Sequence, residues 1–180
     1  PDNSFVHAVL DSRRGIPITL AVIWLELAQG LNLSAKGIAF PGHFLVKVDL
    51  PLGQAVIDPL DGTTNYAHGY PLHCVSIALE YKGQVVLGVV YDPNREELFT
   101  AIKGQGAKLN DKVISASPVV ELERAMLATG FAYNVRETLE NNLDHFQAML
   151  MKAQAIRRDG VAAIDLCYVA CGRYDGFWEL

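Results

Sequence analysis

The feature that most constrains this chain is a change of hydrophobic pattern near residue 34. Up to that point apolar residues recur at helical spacing; beyond it they fall in short β-prone runs separated by turn signals. Gly37–Phe40, Phe44–Val48 and Ala55–Asp58 are divided by Pro41-Gly42 and Pro51-Leu52-Gly53. Cys74–Tyr81 then leads through Lys82-Gly83 into Gln84–Tyr91, and Asp92-Pro93-Asn94 turns that run into Glu97–Ile102. The spacing predicts an antiparallel meander.

Helical patterns flank the meander. Residues 4–13 read as a short helix with Phe5, Val6, Val9 and Leu10 on one side, ended by Gly15. Pro17 suits the first turn of a second helix, running to about Gln29 with Gly30 and Asn32 as stops. Its spaced positions Ile18, Val22, Leu25 and Leu31 are expected in the core. Further on, 115–122 reads as a loop and Ala125–Thr129 as a strand. Leu139–Ala155 reads as a helix carrying Leu139, Leu143, Phe146, Leu150 and Ala153 on one face. Ala162–Cys171 is a shorter helix, and Gly176–Leu180 opens a strand. The expected class is α+β, a mixed layered α/β arrangement with an N-terminal helical pair and a β-hairpin.

A chain of 180 residues has room for one domain or a domain and a half, and 51 % hydrophobic residues can bury a core. A net charge of −5 argues against nucleic acid as the main partner. It does not exclude a phosphorylated small molecule, because a bound cation reverses the local sign. Cys74, Cys167 and Cys171 are odd in number and lack CxxC spacing. They read as buried free thiols, with zinc or a disulfide as the rarer alternative, and fit a reducing, cytoplasmic setting. No charged start followed by an apolar run is present, so no signal peptide is expected. The apolar stretch Ile16–Leu27 carries Glu26 and is too short for a membrane span.

Chemistry concentrates at Asp58-Pro59-Leu60-Asp61-Gly62-Thr63-Thr64, directly after a strand. Pro59 narrows the loop's freedom, and Gly62 allows a close backbone approach. Two carboxylates, a carbonyl and a threonine hydroxyl form an oxygen-only set that suits a hard ion such as Mg²⁺. Backbone N–H groups at Gly62 and Thr63 suit a phosphate beside that ion. On spacing alone an ordinary turn remains the competing reading, since Asp-Pro and Asp-Gly are both turn signals.

In context the segment resembles the signature DP(I/L)DGTTN(F/Y) of the inositol monophosphatase family, with Leu60 and Tyr66 at the variable positions. The likeness continues through Pro71, Val75–Ala78, Gly88–Pro93, Glu97–Phe99 and Gly104–Ala107. It resumes at Arg158–Ala163, Ala170–Arg173 and Asp175–Glu179, covers about residues 56–180, and is nearest to bacterial members. The resemblance implies Asp58 and Asp61 as metal ligands, with the Leu60 carbonyl as a third. It also implies Thr63 and Asp61 as catalytic groups, Thr63 orienting the attacking water. Gly62 and Thr63 would hold phosphate, Gly160, Val161 and Ala162 would contact substrate, and Glu179 would touch its hydroxyls. Read without the family, Gly160 is a helix boundary and Glu179 a solvated strand end. The implied cofactor is Mg²⁺, the implied ligand an inositol phosphate or similar sugar phosphate, and the implied assembly a homodimer.

The stretch before the loop has a different likeness. Asn3-Ser4-Phe5, Val9-Leu10, Arg13–Ile18, Leu25-Glu26-Leu27, Gly37–Lys47 and Ile57-Asp58-Pro59 resemble the SirB-type transglutaminase-like domain. In such folds a Cys, a His and an Asp cooperate. His43 and Asp58 match the last two, and no cysteine precedes Cys74. The chain is therefore expected to comprise residues 1–57 of transglutaminase-like type and 58–180 of phosphatase type, joined as a chimera at Ile57-Asp58-Pro59. The Gly-Glu-Glu motif that the phosphatase family carries before its acidic loop is absent; Asp2, Asp11, Glu26 and Asp49 are the only acids there. The family's Trp-Asp ligand pair would fall after Leu180. With two of four expected carboxylates, the resemblance implies impaired Mg²⁺-dependent phosphate monoester hydrolysis. The alternatives are a non-catalytic chimeric or structural protein, or a SirB-type binding module.

Overall fold

A computed structural model of the chain describes residues 4–12, 15–40, 43–132, 134–138 and 141–180. Two helices open it, α1 (Val6–Ser12) and α2 (Pro17–Gly30). The meander follows as β1 (Ala35–Phe40), β2 (His43–Leu50), β3 (Gly53–Asp61), a short α3 (Thr63–Ala67), β4 (Cys74–Tyr81), β5 (Gln84–Asp92), β6 (Glu97–Ile102), β7 (Gly106–Leu109) and β8 (Lys112–Val113). Each strand pairs antiparallel with the next, giving one eight-stranded sheet in sequence order. The predicted meander is thus longer than its motifs showed. The hairpin before the acidic loop and the strands after it form one continuous ladder through β3. After a single 3₁₀ turn (Leu122–Arg124) come β9 (Met126–Thr129), α4 (Leu143–Leu150), β10 (Ala155–Arg157), α5 (Ala162–Ala170) and β11 (Gly176–Trp178). The last three strands form a small parallel sheet ordered β10-β9-β11.

The two main helices cover opposite faces of the large sheet. Ile77 and Cys74 are three apart on β4 and so point to opposite sides. Ile77 packs in the cluster of Ala21, Val46, Val48 and Ile57 under α2. Cys74 belongs to the cluster of Leu72, Phe99, Ala128, Val161, Ile164, Tyr168 and Tyr174 around α5. Because Ala128 lies on β9, α5 is held between the large and the small sheet.

Three expectations about helices are corrected. In α1 only Val9 is buried, while Phe5 and Leu10 stay exposed. In α2 the face toward the sheet is Ala21, Trp24, Leu25 and Ala28, and Thr19 is buried on the other side, next to Gly15. Ile18 and Leu31 face out. Ala21 and Ala28 let the helix axis approach the sheet, and Trp24 and Leu25 pack between them on the same face. The predicted helix over 139–155 is confined to Leu143–Leu150 among the described residues, with no buried side chain, and Leu139 lies outside them. The chain leaves the helix because Ala155–Arg157 is needed as a strand beside β9. The cysteines are free: Cys74 is buried as expected, whereas Cys167 and Cys171 are half-buried and pack against the same core. No described helix is long and apolar enough to cross a membrane.

Candidate metal and phosphate site

The acidic loop is the end of β3. Asp58 stands opposite Ser76 and Asp61 opposite Cys74, so β3 spends one more residue than β4 between these pairs. Proline cannot donate to the ladder, and a bulge forms where Pro59 falls. In a regular strand, residues three apart point to opposite faces. The extra residue cancels that alternation and brings both carboxylates into one cluster.

His43, at the start of β2, completes the cluster. β2 runs antiparallel to β3 with Val46 opposite Ile57, which carries His43 alongside the Asp58–Asp61 end. His43 Nδ1 lies 2.7 Å from Asp58 Oδ2. One ring nitrogen of His43 and one oxygen each of Asp58 and Asp61 all lie within 4.8 Å of one another. The sequence reading gave His43 no metal role; its only signal was the shared transglutaminase-like pattern with Asp58. The hydrogen bond to Asp58 raises the His43 pKa, burial opposes that, and the charges of Asp58, Asp61 and Glu179 reinforce it.

Asp61 is buried at the start of α5. The Ala163 N–H donates to Asp61 Oδ2 at 2.9 Å, so this carboxylate caps a helix whose N-cap, Val161, has no capping side chain. Burial pushes the Asp61 pKa up, the Ala163 N–H pulls it down, and the Asp58 charge adds a further upward push. Asp58 Oδ1 accepts the Leu60 N–H at 3.1 Å. Asn65 fastens the loop to the helix start by donating to the Leu72 carbonyl (3.0 Å) and the Asp159 carbonyl (2.8 Å). Gly62 has φ +86, and a Cβ there would stand 2.7 Å from Val161 Cγ2. The glycine is required by both conformation and packing.

A cavity of about 80 Å³ gathers most of the expected residues: Asp61, Gly160, Val161, Ala162 and Glu179, together with His43. Gly160 has φ +75 and precedes the N-cap, so it is a helix boundary as well as part of the wall. Val161 is fully buried. Glu179 leans on Gly130, where any Cβ would meet its carboxylate. Arg158, Thr129, Phe131 and Asp165 also line this cavity, and sequence reasoning assigned them no role. Asp165 is fully buried, and its Oδ1 has no hydrogen-bond partner. Burial, then the neighbouring Asp159, pushes the Asp165 pKa up to about 8. Leu60 and Thr63 are placed differently. The Thr63 hydroxyl donates to the Leu60 carbonyl at 3.0 Å, and both residues line a second cavity of about 500 Å³ with Tyr66, Tyr70 and His73.

A large antiparallel sheet whose bulged strand end sets two aspartates against a helix start is the architecture of a sugar-phosphatase-type fold. The comparisons agree. The model of the inositol monophosphatase family matches residues 49–180, and the chain belongs to that family. The model of the transglutaminase-like superfamily matches residues 1–71. An inositol-1-monophosphatase of Synechocystis sp. is 51 % identical over 135 residues, covering 75 % of this chain and 47 % of the relative. A protein of Pseudomonas aeruginosa named Nus factor SuhB is 51 % identical over 126 residues, covering 69 % of this chain and 46 % of its own. The solved inositol monophosphatase of Anabaena (Nostoc) sp. superimposes with a TM-score of 0.68 at 52 % identity, covering 69 % of this chain and 50 % of that one. A structure described as an IMPase/NADP phosphatase complexed with Mg²⁺ and phosphate gives a TM-score of 0.57 at 30 % identity, with coverage of 67 % and 43 %. The chain spans about half the length of the curated relatives it matches.

Proposed function

We propose that this chain carries part of the site of a metal-dependent phosphate monoester hydrolase acting on an inositol phosphate or a similar sugar phosphate. The observation that carries the reading is the cavity in which Asp61, Gly160–Ala162 and Glu179 meet, since these residues come from three separate stretches of chain. The donor set fits a divalent cation: two carboxylates converge, Asp58 pairs with His43, and among the described residues no lysine or arginine is paired to either. Asp58 and Asp61 would hold Mg²⁺, with the Leu60 carbonyl beside them. The ion would supply charge for the phosphate oxygens and acidify a bound water. Thr63 would orient that water. Gly62 and Thr63 would hold the phosphate, the start of α5 would position the ester, and Glu179 would receive its hydroxyls.

The Gly-Glu-Glu motif that the family resemblance implies before the acidic loop is absent, so turnover by this chain is slow in our reading. The relatives support the ligand class: one is named an inositol-1-monophosphatase, and one solved structure of a related phosphatase holds Mg²⁺ and phosphate. A cytoplasmic location and a homodimer belong to the same proposal. We place the seam between a transglutaminase-like part (1–57) and a phosphatase-like part (58–180) at Ile57-Asp58-Pro59, inside the overlap of the two family matches.

The test is phosphate release from inositol 1-phosphate with and without Mg²⁺. Release that needs the ion and falls about 100-fold or more in Asp61→Asn is the expected result. Equal rates in the two proteins would remove Asp61 from the reaction. A second reading, a non-catalytic binding module, is favoured by the 2.7 Å contact of His43 with Asp58, the pair the transglutaminase-like resemblance selects. It gains ground if no phosphate is released under any condition.

A further inference from the structure

Among the described residues, no third carboxylate joins Asp58 and Asp61. In its place stands an imidazole. Among the described residues, His43, Asp58 and Asp61 are the only three His, Cys, Asp or Glu side chains whose ligand atoms all lie within 4.8 Å of one another. The 2.7 Å contact with Asp58 fixes the ring against the carboxylate pair. The register of β2 on β3 sets the position of its backbone. A second observation points to a ligand in the same place. The cavity shared by His43 and Asp61 is also lined by Asp165, whose fully buried Oδ1 has no partner. A buried acceptor left unmet beside a ligand cluster suits a water or hydroxyl brought in with an ion.

We propose that His43 is the third metal ligand, and that it moves the site's preference from Mg²⁺ toward borderline ions such as Mn²⁺ or Co²⁺. The inference rests on the reading of Asp58 and Asp61 as metal ligands. Its physical basis is ligand softness. Carboxylate, carbonyl and water suit Mg²⁺, whereas an imidazole nitrogen raises affinity for first-row transition ions and does little for Mg²⁺. The front segment would then alter the chemistry of the acidic loop as well as extend its sheet.

The experiment uses the full chain and the metals alone. Mg²⁺ and Co²⁺ binding is measured by calorimetry, and bound Mn²⁺ is examined by pulsed electron paramagnetic resonance for coupling to a ¹⁴N nucleus. The proteins are the unmodified chain, His43→Glu and Asp61→Asn, with His43→Gln as a second variant should the glutamate form not fold. The expected result is ¹⁴N coupling that disappears in the His43 variant. The ratio of Co²⁺ to Mg²⁺ affinity should also fall about tenfold or more. Mn²⁺ that binds with no ¹⁴N coupling, or with coupling that survives loss of His43, overturns the inference and leaves Asp58 and Asp61 as ligands. No binding of any of the three ions to the unmodified chain overturns both the inference and the metal reading beneath it.

Discussion

The helices α2 and α5 cover opposite faces of one sheet, yet they differ in what they contribute. α2 has fourteen residues and buries Thr19, Ala21 and Ala28, all small. α5 has nine and buries Ile164, Asp165 and Tyr168. The longer helix buries less because it meets a sheet on one side only, while α5 is enclosed by the large sheet and β9–β11. Enclosure also sets the electrostatics of the α5 end. A carboxylate brought there loses water and must find N–H groups, a proton or a cation. Asp61 finds the Ala163 N–H, and Asp165 keeps a proton to unusually high pH.

The largest expected effect that separates the two helices is at Ile164, which is fully buried in the α5 cluster. Ile164→Ala removes three carbons from a site closed on both sides, where little can collapse inward. Destabilisation of about 3–4 kcal/mol is expected from urea unfolding, with an unchanged m-value. A loss under about 1 kcal/mol would mean that α5 is far less enclosed than its contacts indicate.

Much of this contrast was legible in the sequence, and the illegible part has physical causes. The meander could be read because its strands are short, β-prone and joined by turns such as Lys82-Gly83, all local signals. The acidic loop could be read because its residues are contiguous. The inward face of α2 was misread because spacing alone cannot say whether Ile18 or Ala21 meets the sheet; sheet curvature and axis distance decide it. The helix over 139–155 was overextended because the pairing of Ala155–Arg157 with β9 is a tertiary demand. Tertiary context overrode propensity there. His43 escaped a metal assignment because it lies fifteen residues before Asp58, and only the antiparallel register of β2 and β3 brings them together. Asp165 gave no signal, since an aspartate in the first turn of a helix is ordinary until it is seen to be buried.

That aspartate gives the next effect in size. Its pKa in the folded chain is raised to about 8 by burial and by Asp159, from an ordinary carboxylate value in the unfolded chain. Below about pH 4 both states hold the proton, and the group costs nothing. As pH rises, the unfolded chain ionises while the folded chain keeps its proton, so unfolding is increasingly favoured until pH passes the folded value. Asp165→Asn removes the titration and keeps the shape. In metal-free protein the variant should match the parent near pH 4 and gain stability progressively up to pH 8, read as a Tm difference that grows with pH. A gap that does not change between those two pH values would show that Asp165 is ionised in the folded state throughout.

The smallest effect tests the other helix. Ile18 is 49 % exposed although it shares the helical spacing that marked it as core. It sits one position past Pro17, in the first turn of α2, where Thr19 already supplies the local hydrogen bonds. The Ile16 N–H donates to Thr19 Oγ1 at 3.1 Å, and Thr19 Oγ1 donates to the Ile16 carbonyl at 2.9 Å. Ile18→Ser therefore removes half-solvated apolar surface without breaking a cap or opening a cavity. The expected change is within about 0.5 kcal/mol, read as a small shift of the urea midpoint. A cost approaching that of Ile164→Ala would mean that a partner covers this side of α2 in solution. The two helices would then be equals, each enclosed on both sides.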